Sequence, residues 1–390
     1  MKKSILFVIF ILSITLCSCF SPVEEIVWED EAVPAAVYSE TESAVSEIQE
    51  TAAELPEEPE PAPDPAEEFL SGMSPEEKIG QVILARCLGD PAEKAGEYHF
   101  GGYTFYADDF ENETPESFSE KLSEIDSANG IPMFFAADEE GGKVVRISCY
   151  PQFAERQLPS VQKMLSEGGD ISAWVNEMTD NLQRAGVNLN LAPVADVAES
   201  RSDYIYSRTC GLGYEETGEV ISEIIAGLNS RKIVSCLKHF PGYGSNVDTH
   251  TGIAVDKRTS ESFETGDFIP FIYGIEAGSP MIMVNHNIIE AYDPEVPASL
   301  SPEVHRVLRE LGFDGIIVSD DLGMDAISLY TSEPYSAAFL AGNDLLCVSD
   351  GAACYNALYE AFQNGEITEE RLDESVLRII RVKWEYGIIP

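Results

Sequence analysis

Basic residues are scarce in this chain. Its 390 residues hold 24 Lys plus Arg against 69 Asp plus Glu, a formal net charge of −45 with a pI near 4.2. A nucleic-acid partner is excluded, because no basic surface exists to displace counterions from phosphates. Electrostatic docking on an anionic membrane face is excluded on the same ground. Long apolar runs are scarce too. Only one is charge-free, and it stands at the N-terminus, which excludes a polytopic membrane protein. Histidine appears five times, with no His-x-His on an early strand, so a metal-dependent amidohydrolase has no support. No Gly-x-Gly-x-x-Gly follows the first strand pattern, which leaves a dinucleotide fold equally unsupported. Apolar residues as a class are plentiful at 44%, enough for a sizeable core.

The charge-free run identifies an address. Met1-Lys2-Lys3 is a basic start, and Ile5 to Leu16 is apolar, too short to span a bilayer comfortably and right for a signal peptide. Leu16-Cys17-Ser18-Cys19 resembles the bacterial lipobox, whose final Cys is lipidated after cleavage. Residues 1–18 are therefore expected to be a lipoprotein signal peptide and Cys19 the lipidation site. An ordinary cleaved signal or a membrane anchor is the plainer alternative. The expected place is the bacterial cell envelope, with contact to the membrane through the N-terminal lipid only.

Residues 19–70 read as an acidic, Pro-rich tether. From Phe20 to Leu70 there are sixteen Asp or Glu, seven Pro and no Lys or Arg. Like charges repel and proline stiffens, so an extended spacer is expected. The signal carries two lysines, so residues 71–390 keep −31 of the total charge. Six cysteines remain beyond Cys19: Cys87, Cys149, Cys210, Cys236, Cys347 and Cys354. Several sit in apolar strand patterns, where a free thiol packs as a small core residue, so few or no disulfides are expected. Cys149 with Cys210 is the pair to check, because both fall in loops.

From residue 71 onward, eight short apolar runs recur: 79–86, 101–107, 131–140, 187–197, 233–242, 280–289, 314–322 and 343–350. They are continuous rather than alternating, as for strands covered on both faces in a parallel sheet. Helical patterns fall between them, at 116–129, 171–186, 219–232, 301–312 and 367–387. Eight strand–helix units in this length predict an α/β fold, a (β/α)8 TIM-type barrel as one catalytic domain over 71–390. An open doubly wound sheet is the alternative.

In such a barrel chemistry sits at the C-terminal ends of the strands. The unusual residues fall there: Asp138-Glu139-Glu140 with Arg146, then Asn190 and Asp196, Lys238-His239, Asn285-His286-Asn287 and Ser319-Asp320-Asp321. Each has a plain reading as a helix cap, a polar turn or a satisfied buried pair. Their coincidence at one rim argues for a ligand, since burying so many charges costs several kcal/mol unless they are compensated (order of magnitude, about 3–5). A Schiff-base aldolase would use Lys238 and leave His239 and the acids unexplained. Glycoside hydrolysis needs an ionised nucleophile and a group that holds a proton near neutral pH. Asp320 suits the first role. His250 suits the second, with Asp248 two residues away to raise its basicity and fix its tautomer.

These fragments resemble glycoside hydrolase family 3, in its β-N-acetylglucosaminidase (β-hexosaminidase) branch. They are DEEGGKVVR (138–146), NLNLAPVADV (188–197), SRTCG (207–211), KHFPGYGSNVDTH (238–250) and FDGIIVSDDLGMDAI (313–327). The Asp-x-His pair at 248–250 is the most specific. The resemblance implies a retaining exo-β-N-acetylglucosaminidase with no metal and no cofactor. Asp320 would be the nucleophile, His250 the general acid/base and Asp248 its orienting partner. Asp138, Arg146, Arg208, Lys238 and His239 match positions that grip the hydroxyls of a terminal N-acetylglucosamine. Asp321 is assigned to the start of the next helix. The chain departs from the family pattern at Tyr243, where His is usual, at Glu139, where Gln is usual, and in SRTCG. The expected partner is an oligosaccharide from the wall (peptidoglycan, muropeptide) or a related chain, and the expected state a monomer. A β-glucosidase, a β-N-acetylglucosaminide phosphorylase and a lipid-anchored sugar-binding protein are the alternatives.

Overall fold

The computed structural model describes residues 64–246 and 252–390. Cys19, the signal segment and most of the tether lie outside the described residues, as do Asp248 and His250. Eight parallel strands form the centre: β1 Ile83–Arg86, β2 Gly102–Phe105, β3 Phe134–Ala137, β4 Leu189–Asn190, β5 Val234–Phe240, β6 Met281–Val284, β7 Ile316–Ser319 and β8 Leu346–Val348. Each pairs with the next from β1 to β7, and β8 pairs with β1. A bridge from Val318 to Leu345, with the Ser319 N–H on the Leu345 carbonyl, brings β7 against β8 and nearly closes the cylinder. That order is a (β/α)8 barrel; a doubly wound sheet would reverse direction at its middle. Every residue of β1, β2, β3, β5, β6 and β7 is buried, which is why these strands are apolar on both faces.

Local chemistry sets the element ends. The strand expected from Ile79 begins four residues later than the sequence pattern suggests, at Ile83, because Ile79–Gln81 close a helix, Pro75–Gln81. Ser74 accepts the Glu77 N–H and the Glu77 carboxylate accepts the Ser74 N–H, a reciprocal cap stronger than the weak strand signal. The tether expected to run through residue 70 also ends early. Asp64 accepts the Ala66 N–H, Pro65 takes the first helical position, and Pro65–Ser71 is a helix with Ala66 and Leu70 buried. Arg381, on the last helix Glu369–Glu385, binds the Asp64 carboxylate at 2.7 and 2.8 Å. Residues 64–70, expected in the tether, are therefore part of the folded region. Helix Tyr214–Ser230 likewise starts five residues before the expected 219, behind the Gly213 cap.

The other expected helices form close to where periodicity places them, at Pro115–Asn129, Ile171–Arg184 and Pro302–Glu310. Ser301 accepts the Val304 N–H and Gly312 ends the turn in a left-handed conformation, φ +88°. Strand β4 is two residues long where the run suggested eleven. Pro193 removes a ladder donor, and pairing resumes only as a Val194–Lys238 bridge. All six cysteines of the described residues are free thiols, five of them buried; Cys149 is exposed and Cys210 buried, with no bond between them. Among the described residues no helix is long and apolar enough to cross a membrane.

Candidate active site

A cavity of about 270 Å³ opens at the C-terminal ends of the strands. Asp138, Arg146, Arg208, Lys238, His239 and Asp320, six residues singled out from the sequence, all line it. Its size suits one terminal ring better than an open groove for a long chain.

One wall is an ion network. Lys238, the fifth residue of β5, places Nζ 2.7 Å from Asp138 and 2.7 Å from Glu140. Arg208 holds Glu140 with two bonds, Nη2 at 2.7 Å and Nε at 2.9 Å. Arg146 reaches Asp138 at 3.3 Å. Burial alone would push both carboxyls up. The cations outweigh it: Lys238 and Arg146 hold Asp138 far below the usual carboxylate range, and Lys238 and Arg208 bring Glu140 down to about 2. Burial alone would lower Lys238, but the two carboxylates raise it, so the ammonium persists. The network is fixed charge, ready to meet the hydroxyls of a polar ligand.

His239 follows in the chain and has a defined tautomer. Arginine can only donate, so His239 Nε2 accepts from Arg208 at 3.1 Å. Its Nδ1–H donates to Asp196 at 2.7 Å. Asp196 also accepts the backbone N–H groups of His239 and Tyr243. Tyr243, standing where histidine is usual, is buried with its ring edge-on to His239 at 5.3 Å.

The opposite wall is the turn after β7. The Asp320 N–H bonds the Val284 carbonyl on β6, and the Asp320 carboxylate accepts the Asp321 N–H at 2.9 Å. Burial raises its pKa, but the imidazoles of His286 and His239, the Asp321 N–H and Lys238 win and keep it below the usual range. It is therefore an ionised carboxylate facing the cavity. His286 donates from Nε2 to the Asp321 carbonyl at 3.0 Å, which pins the same turn, and its Nδ1 lies 2.7 Å from Ser299 Oγ.

One expectation changes. Asp321 does not cap a helix: it accepts the Gly323 N–H and the Ser349 hydroxyl, bracing the turn against the end of β8. Helix Asp325–Ser328 follows Met324, with no side-chain cap. Glu139, where glutamine is usual, is fully buried away from the cavity. Its carboxylate accepts the N–H groups of Arg146, Ile147 and Ser148, folding the loop back so that Arg146 faces Asp138. Burial raises its pKa against those bonds.

Sequence reasoning placed Glu140 at the rim but gave it no role in the site. Its only local signal was the third acid of the Asp-Glu-Glu run, and its partners lie far along the chain. It missed Tyr106, which lines the cavity from the end of β2. Among the described residues no three His, Cys, Asp or Glu side chains converge to hold a metal ion.

Comparison with known proteins agrees with this fold. The model of the glycosyl hydrolase family 3 N-terminal domain matches residues 74–382. A β-hexosaminidase from Nitrosomonas eutropha is 30% identical over 275 residues, covering 67% of this chain and 77% of its own. A family 3 β-N-acetylglucosaminidase structure from a Paenibacillus species superposes with a TM-score of 0.76 at 27% identity. That alignment covers 82% of this chain and 64% of the Paenibacillus chain. The β-glucoside phosphorylase BglX, at 21% identity and a TM-score of 0.73 over 83% of this chain and 61% of its own, shares the fold.

Proposed function

Since the chain belongs to glycosyl hydrolase family 3, we propose that it is a retaining exo-β-N-acetylglucosaminidase that removes terminal N-acetylglucosamine from wall-derived or related oligosaccharides. The observation that carries the reading is the pairing of one ionised carboxylate, Asp320, with a fixed network of opposite charges across a one-ring cavity. Lys238, Arg208 and Arg146 donate to sugar hydroxyls, and Asp138 and Glu140 accept from them. That grip sets the anomeric carbon before Asp320, which attacks it and forms a glycosyl-enzyme ester. Positive charge that develops on the ring is stabilised by the same carboxylate.

His250, oriented by Asp248, protonates the leaving oxygen and then takes a proton from water. Support comes from the described residues leading to it. Tyr243 is tied to Asp196 beside His239, and Asn246 bonds the Tyr243 carbonyl and Asp256. The segment that bears Asp248 and His250 leaves from that anchored stretch. A histidine acid adds no second negative charge beside the ester. The lipobox-like Cys19 supports export and lipid anchoring in the bacterial envelope.

The test is turnover of p-nitrophenyl N-acetyl-β-glucosaminide and of the β-glucoside by the purified protein, each with and without phosphate. Release selective for the acetamido sugar and indifferent to phosphate is expected. The Asp320→Ala variant should lose on the order of a thousand-fold or more, and His250→Ala about a hundred-fold or more. Release that requires phosphate would make it a phosphorylase, and preference for the glucoside would make it a glucosidase.

A further inference from the structure

Tyr106 plays no part in the mechanism above, yet its setting is built. It is the first residue after β2 and lines the cavity with Asp138, Arg146 and Asp321. Two guanidiniums lie over its ring, with Arg86 Cζ 4.2 Å and Arg146 Cζ 5.1 Å from the centroid. Each such contact is worth about 0.5–2 kcal/mol, and two on one ring fix its plane. Arg86 is itself held: it bonds Asp109 at 2.5 Å, Asp108 at 3.2 Å and the Cys87 carbonyl at 3.0 Å. The same Asp109 oxygen accepts the Tyr106 N–H at 2.7 Å, so stacking partner and backbone share one anchor.

Among the described residues the Tyr106 hydroxyl enters no hydrogen bond. The buried Tyr103, three residues earlier, gives its hydroxyl to the Pro91 carbonyl. Tyr106 is half-buried, and its hydroxyl oxygen is open to solvent rather than sealed in the core, so a ligand can reach it; phenylalanine would keep the stack and lose that group. The surrounding groups are one-sided: Asp138 and Asp321 only accept, and Arg146 and Lys238 only donate. A phenol does both, as a sugar hydroxyl does.

We propose that Tyr106 contacts the substrate and selects for one ring hydroxyl of the terminal sugar, and that Arg86 is the positioning residue that sets the phenol. The proposal rests on the reading of the cavity as a terminal-hexosamine site. That hydroxyl gives its proton to Asp138 and receives one from Tyr106, so a ring lacking it leaves both groups unpaired.

The experiment compares wild type with Tyr106→Phe on p-nitrophenyl N-acetyl-β-glucosaminide and on analogues that each lack one ring hydroxyl. Wild type should lose kcat/KM on one analogue more than on the rest. Tyr106→Phe should lose about ten-fold on the parent, the worth of one hydrogen bond, and nothing further from the Tyr106 contact on that analogue. Arg86→Lys, which keeps the charge beside Asp109 but not the planar stack, should weaken the same discrimination and leave the other analogues unmoved. Parent turnover by Tyr106→Phe within two-fold of wild type, or equal losses on every analogue, overturns the proposal. A folded wild type that does not turn over the parent overturns the functional reading, and this one with it.

Discussion

Glu140 carries two of the cavity's cations on one carboxylate, and neither is near it in sequence. Arg208 lies 68 residues on and Lys238 beyond that. Asp138, Lys238 and Asp320 were legible because each stands at a strand end within a recognisable run. Glu140 was not, since a sequence shows that an acid is present but not which distant cation it meets. Glu139 shows the same limit from the other side: a neighbouring acid of the same run turns inward to hold three backbone N–H groups. Replacing Glu140 with Gln keeps the shape and leaves Arg208 without its carboxylate. KM for the aryl N-acetylglucosaminide should rise at least ten-fold, and urea unfolding should show a loss of about 3 kcal/mol. An unchanged KM would remove Glu140 from the site.

Elements were legible where caps and apolar runs coincide. All eight strand runs contain their strand, and Thr368 caps the last helix by accepting the Arg371 N–H. Lengths were less legible, because a proline such as Pro193 or a cap such as Ser74 overrides the run around it. The elements that flank the segment bearing His250 are joined by charge. Arg258 bonds Asp256 and Asp267, and Asp256 also accepts from Asn246. Gly242 is required there, with φ +116° and a Cβ that would sit 2.3 Å from Asp267. Burial pushes Asp267 up to about 6, more than Arg258 can offset. A carboxyl raised in the fold stabilises it fully below its ordinary pKa, and that contribution fades as pH rises through about 6. Asp267→Asn does not titrate. Its melting temperature relative to wild type should therefore be higher at pH 7.5 than at pH 4.5. A difference that does not change with pH would contradict the raised value.

At the scale of the whole molecule, periodicity sufficed for the barrel, since strands buried on both faces have no polar side to obscure them. That residues 64–70 belong to the folded region was less legible. An acidic, Pro-rich stretch reads as tether until Arg381, more than three hundred residues away, captures Asp64. Two residues further along the same helix, Lys383 is buried, bonded to Gln81 and lying over the Phe134 ring. Burial lowers its pKa to about 7. A lysine lowered in the fold adds stability above its ordinary pKa and loses it as pH falls through about 7. Lys383→Met should therefore raise the melting temperature more at pH 6 than at pH 9.5; the reverse order would contradict a neutral buried amine. The central claim concerns the barrel as an enzyme: Asp320 forms a covalent glycosyl-enzyme and the anomeric configuration is kept. Proton NMR of the sugar first released from p-nitrophenyl N-acetyl-β-glucosaminide tests it most directly. The account predicts β-N-acetylglucosamine before mutarotation, and the α-anomer as first product would contradict it.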